Sequence, residues 1–362
     1  MLVNSLRKSD LAVVVTGAGG SASANVIDSL NRASTKYFVV GADASSLKLH
    51  MSLAPEKYVI PLASDDNYVS GLNSLLSKTG CKVLHVQPDP EVRAVSRHRA
   101  QIKAHMFLPT DAAIQLAGDK GRFAATMQKA GVETPESVNF TDDESIGVYT
   151  DSLLERHERV WVRARVGAGA RAALPVSRAD QAQSWIRWWT QEKGLTANQF
   201  MASEMLPGRE FAFQSVWQDG ELVVGQARER VEYLYGFLSP SGQSSTPAVA
   251  RTVSDSHVNQ VAVSAIMALD SSPNGVYCVD IKTSAAGVPK VTEINAGRFF
   301  TTSNFFAAAG VNMPDMVMRA AMGERLAHIG LSPLEDNLYW VRMVDMGFHL
   351  VAEEEINKWN KI

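Results

Sequence analysis

Along the first hundred residues, apolar runs of strand length alternate with segments whose apolar positions recur every three or four residues. "LAVVVTGAGG" predicts a buried strand opening into a glycine turn, and "SASANVIDSLNRAS" carries the helical repeat. "YFVVGAD" predicts a second strand, ending at Asp43, and "NYVSGLNSLLSKTG" a second helix. "KVLHVQPDPE" predicts a further strand with an acidic, proline-containing end. Strands alternating with helices in this way, over residues 11–112, predict a parallel sheet.

The pattern then changes. In "GDKGRFAATMQKAGVETPES" the periodicity predicts a helix over 122–129, ended by Gly131. "RVWVRARVGAGARAALPV" reads as strand, glycine and alanine loop, strand. "SRADQAQSWIRWWTQEKG" is a helix in which Trp185 and Trp189 share a face, the arrangement of packing residues. "FMASEMLPGREFAFQSVWQDGELVV" predicts strand, turn, strand, with Asp219 and Gly220 as a hairpin turn. The closing "NLYWVRMVDMGFHLVAEEEINKW" predicts a strand pair, or a strand and a helix.

One hairpin carries chemistry in its pattern. In "VYCVDIKTSAAGVPKVTEINAGRF", residues 276–282 alternate, with Tyr277, Val279 and Ile281 opposed to Cys278, Asp280 and Lys282. On the return arm, Val291, Glu293 and Asn295 are predicted on one face, with Thr292 and Ile294 on the other. If Asp280 faces Glu293, then Lys282 faces Val291 and Ser284 faces Pro289, leaving the loop Ala-Ala-Gly-Val. Facing like charges destabilise a sheet, so two opposed carboxylates call for a cation between them. Two carboxylates and an amide suit Mg²⁺ or Mn²⁺ when a polyphosphate supplies the remaining ligands. A solvated acidic edge is the alternative, and only the rest of the chain decides between them.

Bulk composition narrows the class. A chain of 362 residues is long for one core, which predicts two or three domains. With 46% hydrophobic and 20% charged residues it has the make-up of a soluble globular protein. A net charge of −3 offers no electrostatic case for nucleic acid. Cys81 and Cys278 form no metal or redox motif, which predicts a reducing cytoplasm. The apolar run near the start is too short for a membrane span, and no cleavage site follows it. None of the eight histidines has metal-ligand spacing, which argues against a zinc enzyme. One rival reading is open: Gly17-Ala18-Gly19-Gly20 follows a strand and opens a helix, with Asp43 beyond, as in dinucleotide-binding folds. Ala22, however, occupies the place of the third glycine of that motif.

Four clusters follow one another: Lys120, then Arg163 with the glycine loop, then Glu204 with Glu210, then the Asp280, Glu293 and Asn295 hairpin. This order resembles the ATP-grasp superfamily, closest to the branch of carbamoyl phosphate synthetase, biotin carboxylase and D-alanine–D-alanine ligase. "VDIK…VTEINAGRF", "EMLPGREF" and "DK…AGVETP" carry the resemblance. It implies an α/β (α+β) ATP-grasp fold: a Rossmann-like N-terminal domain over 1–112, a small lobe with a glycine-loop lid over 113–203, and a catalytic lobe with the C-terminal segment over 204–362. The implied N-terminal domain does not bind NAD.

The resemblance also implies roles. Lys120 and Arg163 would hold the α- and β-phosphates of ATP, and the loop of Gly167 and Gly169 would close over them, with Arg171 as a further donor. Glu204 to Pro207 would link the lobes, with Met205 and Leu206 as backbone donors to adenine and Glu210 on the ribose. Asp280, Glu293 and Asn295 would hold one or two Mg²⁺ (or Mn²⁺) ions, and Lys282 would touch a phosphate. Arg298 would face the γ-phosphate or the substrate, while Arg228, Arg230 and Arg251 flank the acceptor pocket. The implied activity is an ATP-dependent carboxylate–amine ligase acting through an acyl phosphate, with small carboxylate and amine substrates and a homodimer as an open option. The rivals are an NAD-dependent oxidoreductase and an ATP-binding regulatory protein without turnover.

Overall fold

The computed structural model describes residues 11–167, 172–238, 246–344 and 348–356. Strand β1 (Leu11–Thr16), helix α1 (Ser21–Asn31), β2 (Tyr37–Asp43), β3 (Glu56–Val59), helix α2 (Tyr68–Thr79) and β4 (Val83–His85) build a parallel sheet in the order β3-β2-β1-β4. Val13, Val14 and Val15 are all fully buried, as a parallel strand covered on both faces requires. The acidic end of "KVLHVQPDPE" is not strand. Helix α3 (Asp89–Arg97) begins there, because Pro90 fits the first turn of a helix. Asp89 therefore stands at the carboxyl end of β4.

The glycine turn after β1 is closed by its own surroundings. Gly17 has φ of +58°, and a Cβ on Gly19 would lie 2.3 Å from the carbonyl oxygen of Lys48. The Asp43 carboxylate accepts from the Gly19 N–H at 3.0 Å and the Ser45 N–H at 2.8 Å. Asp43 is thus engaged by the backbone of its own loop, which leaves the dinucleotide rival without a free acid for a ribose.

Helices α4 (Asp111–Ala117) and α5 (Lys120–Lys129) lead into a second sheet. The second helix starts two residues earlier than the periodicity predicts. The Asp119 side chain caps it, accepting from the Gly121 and Arg122 N–H groups. Strand β5 (Ser137–Asn139), helix α6 (Asp143–Leu154), β6 (Val160–Ala164), β7 (Leu174–Val176), helix α7 (Ala179–Lys193) and β8 (Phe200–Glu204) follow, with antiparallel order β5-β8-β6-β7. Val160, Val162, Phe200, Ile186 and Trp189 fill the core beneath α6 and α7, with Trp185 packed against it. On β6 the alternate residues Trp161 and Arg163 face the other way.

The third sheet is the largest. It contains β9 (Glu210–Gln218), β10 (Glu221–Tyr233), β11 (Pro247–Val253), β12 (Gly275–Thr283), β13 (Pro289–Ala296), the short β14 (Gly330–Leu331), β15 (Leu338–Arg342) and β16 (Phe348–Ala352). The order is β13-β12-β9-β10-β11-β15-β16, with β14 on β10. Helix α8 (Ser256–Leu269) contributes to the core on one face. Helices α9 (Ser303–Ala308) and α10 (Met313–Ala321) pack on the other. Asp219 and Gly220 both have positive φ, +53° and +85°, as a two-residue hairpin turn with matching twist requires. The closing segment is a strand pair followed by helix α11 (Glu353–Ile356), so both readings of it hold.

The β12–β13 hairpin places Asp280 opposite Glu293 as predicted, but the register beyond them differs. A bulge at Thr292 brings Ile281 opposite Val291 and Thr283 opposite Pro289. One extra residue flips the phase of the strand. Val291 thereby joins Ile294 in the core, while Glu293 and Asn295 keep the other face. The predicted grouping of Val291 with Glu293 is corrected on that ground.

Candidate active site

A cavity of about 520 Å³ lies between the second and third sheets and reaches the parallel unit at Gln87 and Asp89. Lys120, Arg163, Gly167, Glu204, Met205, Leu206, Glu210, Asp280, Lys282, Glu293, Asn295 and Arg298 all line it. These residues were predicted from four separate stretches of sequence. Gly169 and Arg171 lie outside the described residues.

The two facing carboxylates are neutralised by different cations. Asp280 pairs with Arg230 and accepts from Asn295 Nδ2 at 3.1 Å. Glu293 has Lys120 Nζ at 3.4 Å and Arg163 Nη1 at 3.7 Å. Burial works against ionisation of Glu293, yet Lys120 and Arg163 outweigh it and hold its carboxyl down to about 2. For Asp280, burial prevails over the pull of Arg230, and the charge of Glu293 adds to it, so its carboxyl lies above the usual range. Burial likewise lowers the Arg163 guanidinium, against the attraction of Glu293.

The bulge contributes to the site. It frees the Thr292 carbonyl, which accepts from Arg163 Nη2 at 3.0 Å, while the Thr292 hydroxyl donates to Asp280 O at 3.1 Å. Lys120 Nζ donates to the Gly167 carbonyl at 2.6 Å, tying the start of α5 to the loop after β6. Lys120 and Arg163 thus share one carboxylate, leaving positive charge for an anion such as a polyphosphate. The donor set of two carboxylates and an amide suits a hard divalent cation that takes its other ligands from phosphate. Asp280, Glu293 and Asn295 would hold it.

Some assignments change. Lys282 Nζ bonds Glu210 Oε1 at 2.6 Å, and the Tyr233 hydroxyl donates to the other oxygen of that carboxylate. Lys282 therefore orients Glu210 and does not stand free for a phosphate. The Met205 N–H donates to Arg159 O at 3.3 Å, so it is not a free donor to adenine. Pro207 has no N–H, and among the described residues the linker's N–H without a recorded partner is that of Leu206. Arg251 is outside the cavity. Register places it opposite Glu229, on the face away from Arg228 and Arg230, and it pairs with Glu229 at 2.8 Å.

Other residues that line the cavity or hold its lining were not singled out from sequence. Asp89 holds Arg298 through both carboxylate oxygens, and Arg298 also reaches Asn295 Oδ1. Gln87 accepts from the Phe299 N–H at 3.2 Å and donates to its carbonyl at 2.6 Å. Lys290 Nζ holds Glu204 Oε2 at 2.6 Å. The acidic, proline-containing stretch that follows β4 was a visible signal for Asp89. Lys290 had none, because a lone lysine near a turn is ordinary.

No family model and no curated protein matches the sequence. Solved structures do match. The biotin carboxylase domain dimer of 2-oxoglutarate carboxylase from Hydrogenobacter thermophilus, in complex with MgADP, ADP and bicarbonate, superposes with a TM-score of 0.70 at 16% identity, covering 91% of this chain and 73% of that one. L-amino acid ligase from Bacillus licheniformis gives 0.67 at 12% identity, covering 92% and 79%. N5-carboxyaminoimidazole synthetase from Staphylococcus aureus, complexed with ADP, gives 0.66 at 16% identity, covering 91% and 81%. The chain has the ATP-grasp fold shared by these structures.

Proposed function

We propose that the chain is an ATP- and Mg²⁺-dependent ligase that joins a small carboxylic acid to an amine. The observation that carries the reading is the convergence, in one cavity, of the Asp280, Glu293 and Asn295 set with Lys120, Arg163 and the lobe linker at Leu206. In the reaction class, a carboxylate oxygen attacks the γ-phosphorus and ADP leaves. The amine nitrogen then attacks the acyl carbon, phosphate leaves, and the nitrogen loses a proton. A bound Mg²⁺ would neutralise phosphate charge. The chain's own residues supply positioning. Leu206 N–H meets the adenine edge, Glu210 accepts from the ribose, and Lys120 and Arg163 turn from Glu293 to the phosphates. Arg298, held by Asp89, contacts Asn295 and would neutralise charge on the transferring phosphoryl group. Such chemistry rests on alignment and charge neutralisation and needs no covalent enzyme intermediate.

We keep a division into units at about 1–112, 113–203 and 204–362 as part of this reading, supported by the presence of three separate sheets, although β8 (Phe200–Glu204) runs one residue past the second boundary. Both cysteines are free and buried, in keeping with a reducing compartment. No helix among the described residues is long and apolar enough to cross a membrane. The test is phosphate release from MgATP against a panel of amino acids and other small acids with amines. Release that requires both an acid and an amine supports the reading. A melting temperature raised by NAD⁺ and unmoved by MgATP would replace it with the dinucleotide alternative.

A further inference from the structure

Arg228 lies on β10 with only 1% of its surface exposed, yet it lines the cavity. Its guanidinium rests over the rings of Phe300 at 4.9 Å and Phe306 at 5.2 Å. Nε and Nη1 are buried and meet no acceptor. The neighbouring arginines differ: Arg230 is paired with Asp280 and Arg251 with Glu229. A second polar group of the same cavity is in the same condition. The Thr302 hydroxyl is fully buried and has no partner. Burial, with the nearby Arg230 adding to it, brings the Arg228 guanidinium down to about 9, so it remains charged at neutral pH. A buried cation left unpaired by its own fold is costly unless an outside group completes it.

Register shows that this group is separate from the phosphate end. Glu293, Asp280, Ala212 and Arg228 form one row across β13, β12, β9 and β10. Lys120 and Arg163 meet this row at Glu293, on the edge strand. Arg228 stands two strands from Asp280, a backbone separation of roughly 10 Å. The residue between them in this row, Ala212, is small and carries no charge.

We propose that Arg228, seated on the Phe300 ring, anchors an anionic group of the acceptor-side substrate, a carboxylate or phosphate distinct from the phosphates of the nucleotide, with the Thr302 hydroxyl of the same cavity as a further donor. Its description as a substrate group rests on the ligase reading; the anion site itself does not.

The experiment measures melting temperature with millimolar acetate, succinate or inorganic phosphate at constant ionic strength, with and without MgADP. Wild type, Arg228→Lys and Arg228→Met are compared. At least one anion raises the wild-type value by a few degrees; the shift weakens in Arg228→Lys, which lacks the planar fork, and vanishes in Arg228→Met. Succinate or acetate against phosphate tells which anion the site takes. Without ligand, Arg228→Met melts above wild type, because an apolar chain fills the aromatic bed with no unpaired charge. An anion shift that survives in Arg228→Met, no shift in wild type with any of the three, or an Arg228→Met that melts below wild type overturns the proposal. If the anion shift depends on Arg228 while MgADP moves none of the three proteins, the ligase reading fails and the anion site stands.

Discussion

Asp280 and Glu293 face each other across the β12–β13 ladder, yet each carboxylate is held by cations from a different part of the chain. Arg230 reaches Asp280 from within the same sheet. Lys120, at the start of α5, and Arg163, on β6 of the second sheet, reach Glu293 from outside it. The charges of this site are thus compensated within the protein, and on the proposed reading a metal and phosphates would take the place of these protein cations.

Glu293→Gln removes one charge from the proposed metal set and keeps its shape. Turnover is expected to fall on the order of 10²-fold or more at saturating Mg²⁺. The fold is retained, since Arg163 keeps its bond to Thr292 O and Lys120 its bond to Gly167 O. Steady-state rates with increasing Mg²⁺ check this, and full activity at high Mg²⁺ would remove the metal assignment.

Asp89 acts through Arg298. Asp89→Asn weakens a charge-assisted fork, leaving Arg298 to its Asn295 contact. A loss of about tenfold in kcat is expected, the scale of one hydrogen bond to a charged group, with ATP affinity little changed. Separate kcat and nucleotide-binding measurements test the split. Equal losses in both would make Asp89 a general structural brace.

Gly19 is closely packed against the Lys48 backbone. In Gly19→Ala the new Cβ would meet the Lys48 carbonyl at 2.3 Å, so a stability loss of roughly 1–3 kcal/mol is expected. Denaturant unfolding reads it directly. Unchanged stability with lost nucleotide binding would return the turn to a phosphate-cradling role.

His85 is buried, bonded to Gln87 Oε1 at 3.0 Å, and packed near the Phe299 ring. Burial lowers its pKa to about 4, although the Gln87 bond opposes this. The unfolded chain therefore takes up the proton first as pH falls. His85 stabilises the fold above its unfolded pKa, and that contribution is lost as pH drops from about 6.5 towards 4. Between pH 7.5 and 5 the expected loss is about 2 kcal/mol. Urea titrations of wild type and His85→Gln at both values isolate the term, because other buried groups cancel in the difference. Identical pH slopes would show that His85 is not the group that titrates.

Local pattern alone determined much of this protein. Strand β2, the Asp219–Gly220 turn and the opposition of Asp280 to Glu293 all follow from periodicity and turn chemistry within short stretches. The ordered clusters from Lys120 to Asn295 were legible for the same reason, since each is a local motif. Tertiary structure decided what depends on partners far along the chain. Val291 changes face because a single bulged residue flips the strand, and no composition signal marks where a bulge falls. Arg228, Arg230 and Arg251 look equivalent in sequence. Sheet register pairs Arg230 with Asp280 and Arg251 with Glu229, and leaves Arg228 buried in the cavity. Asp89 meets Arg298 only because the parallel unit packs at the mouth of the large sheet. Local order arises from neighbouring residues, whereas the charge balance of this site is set by side chains that only folding brings within reach.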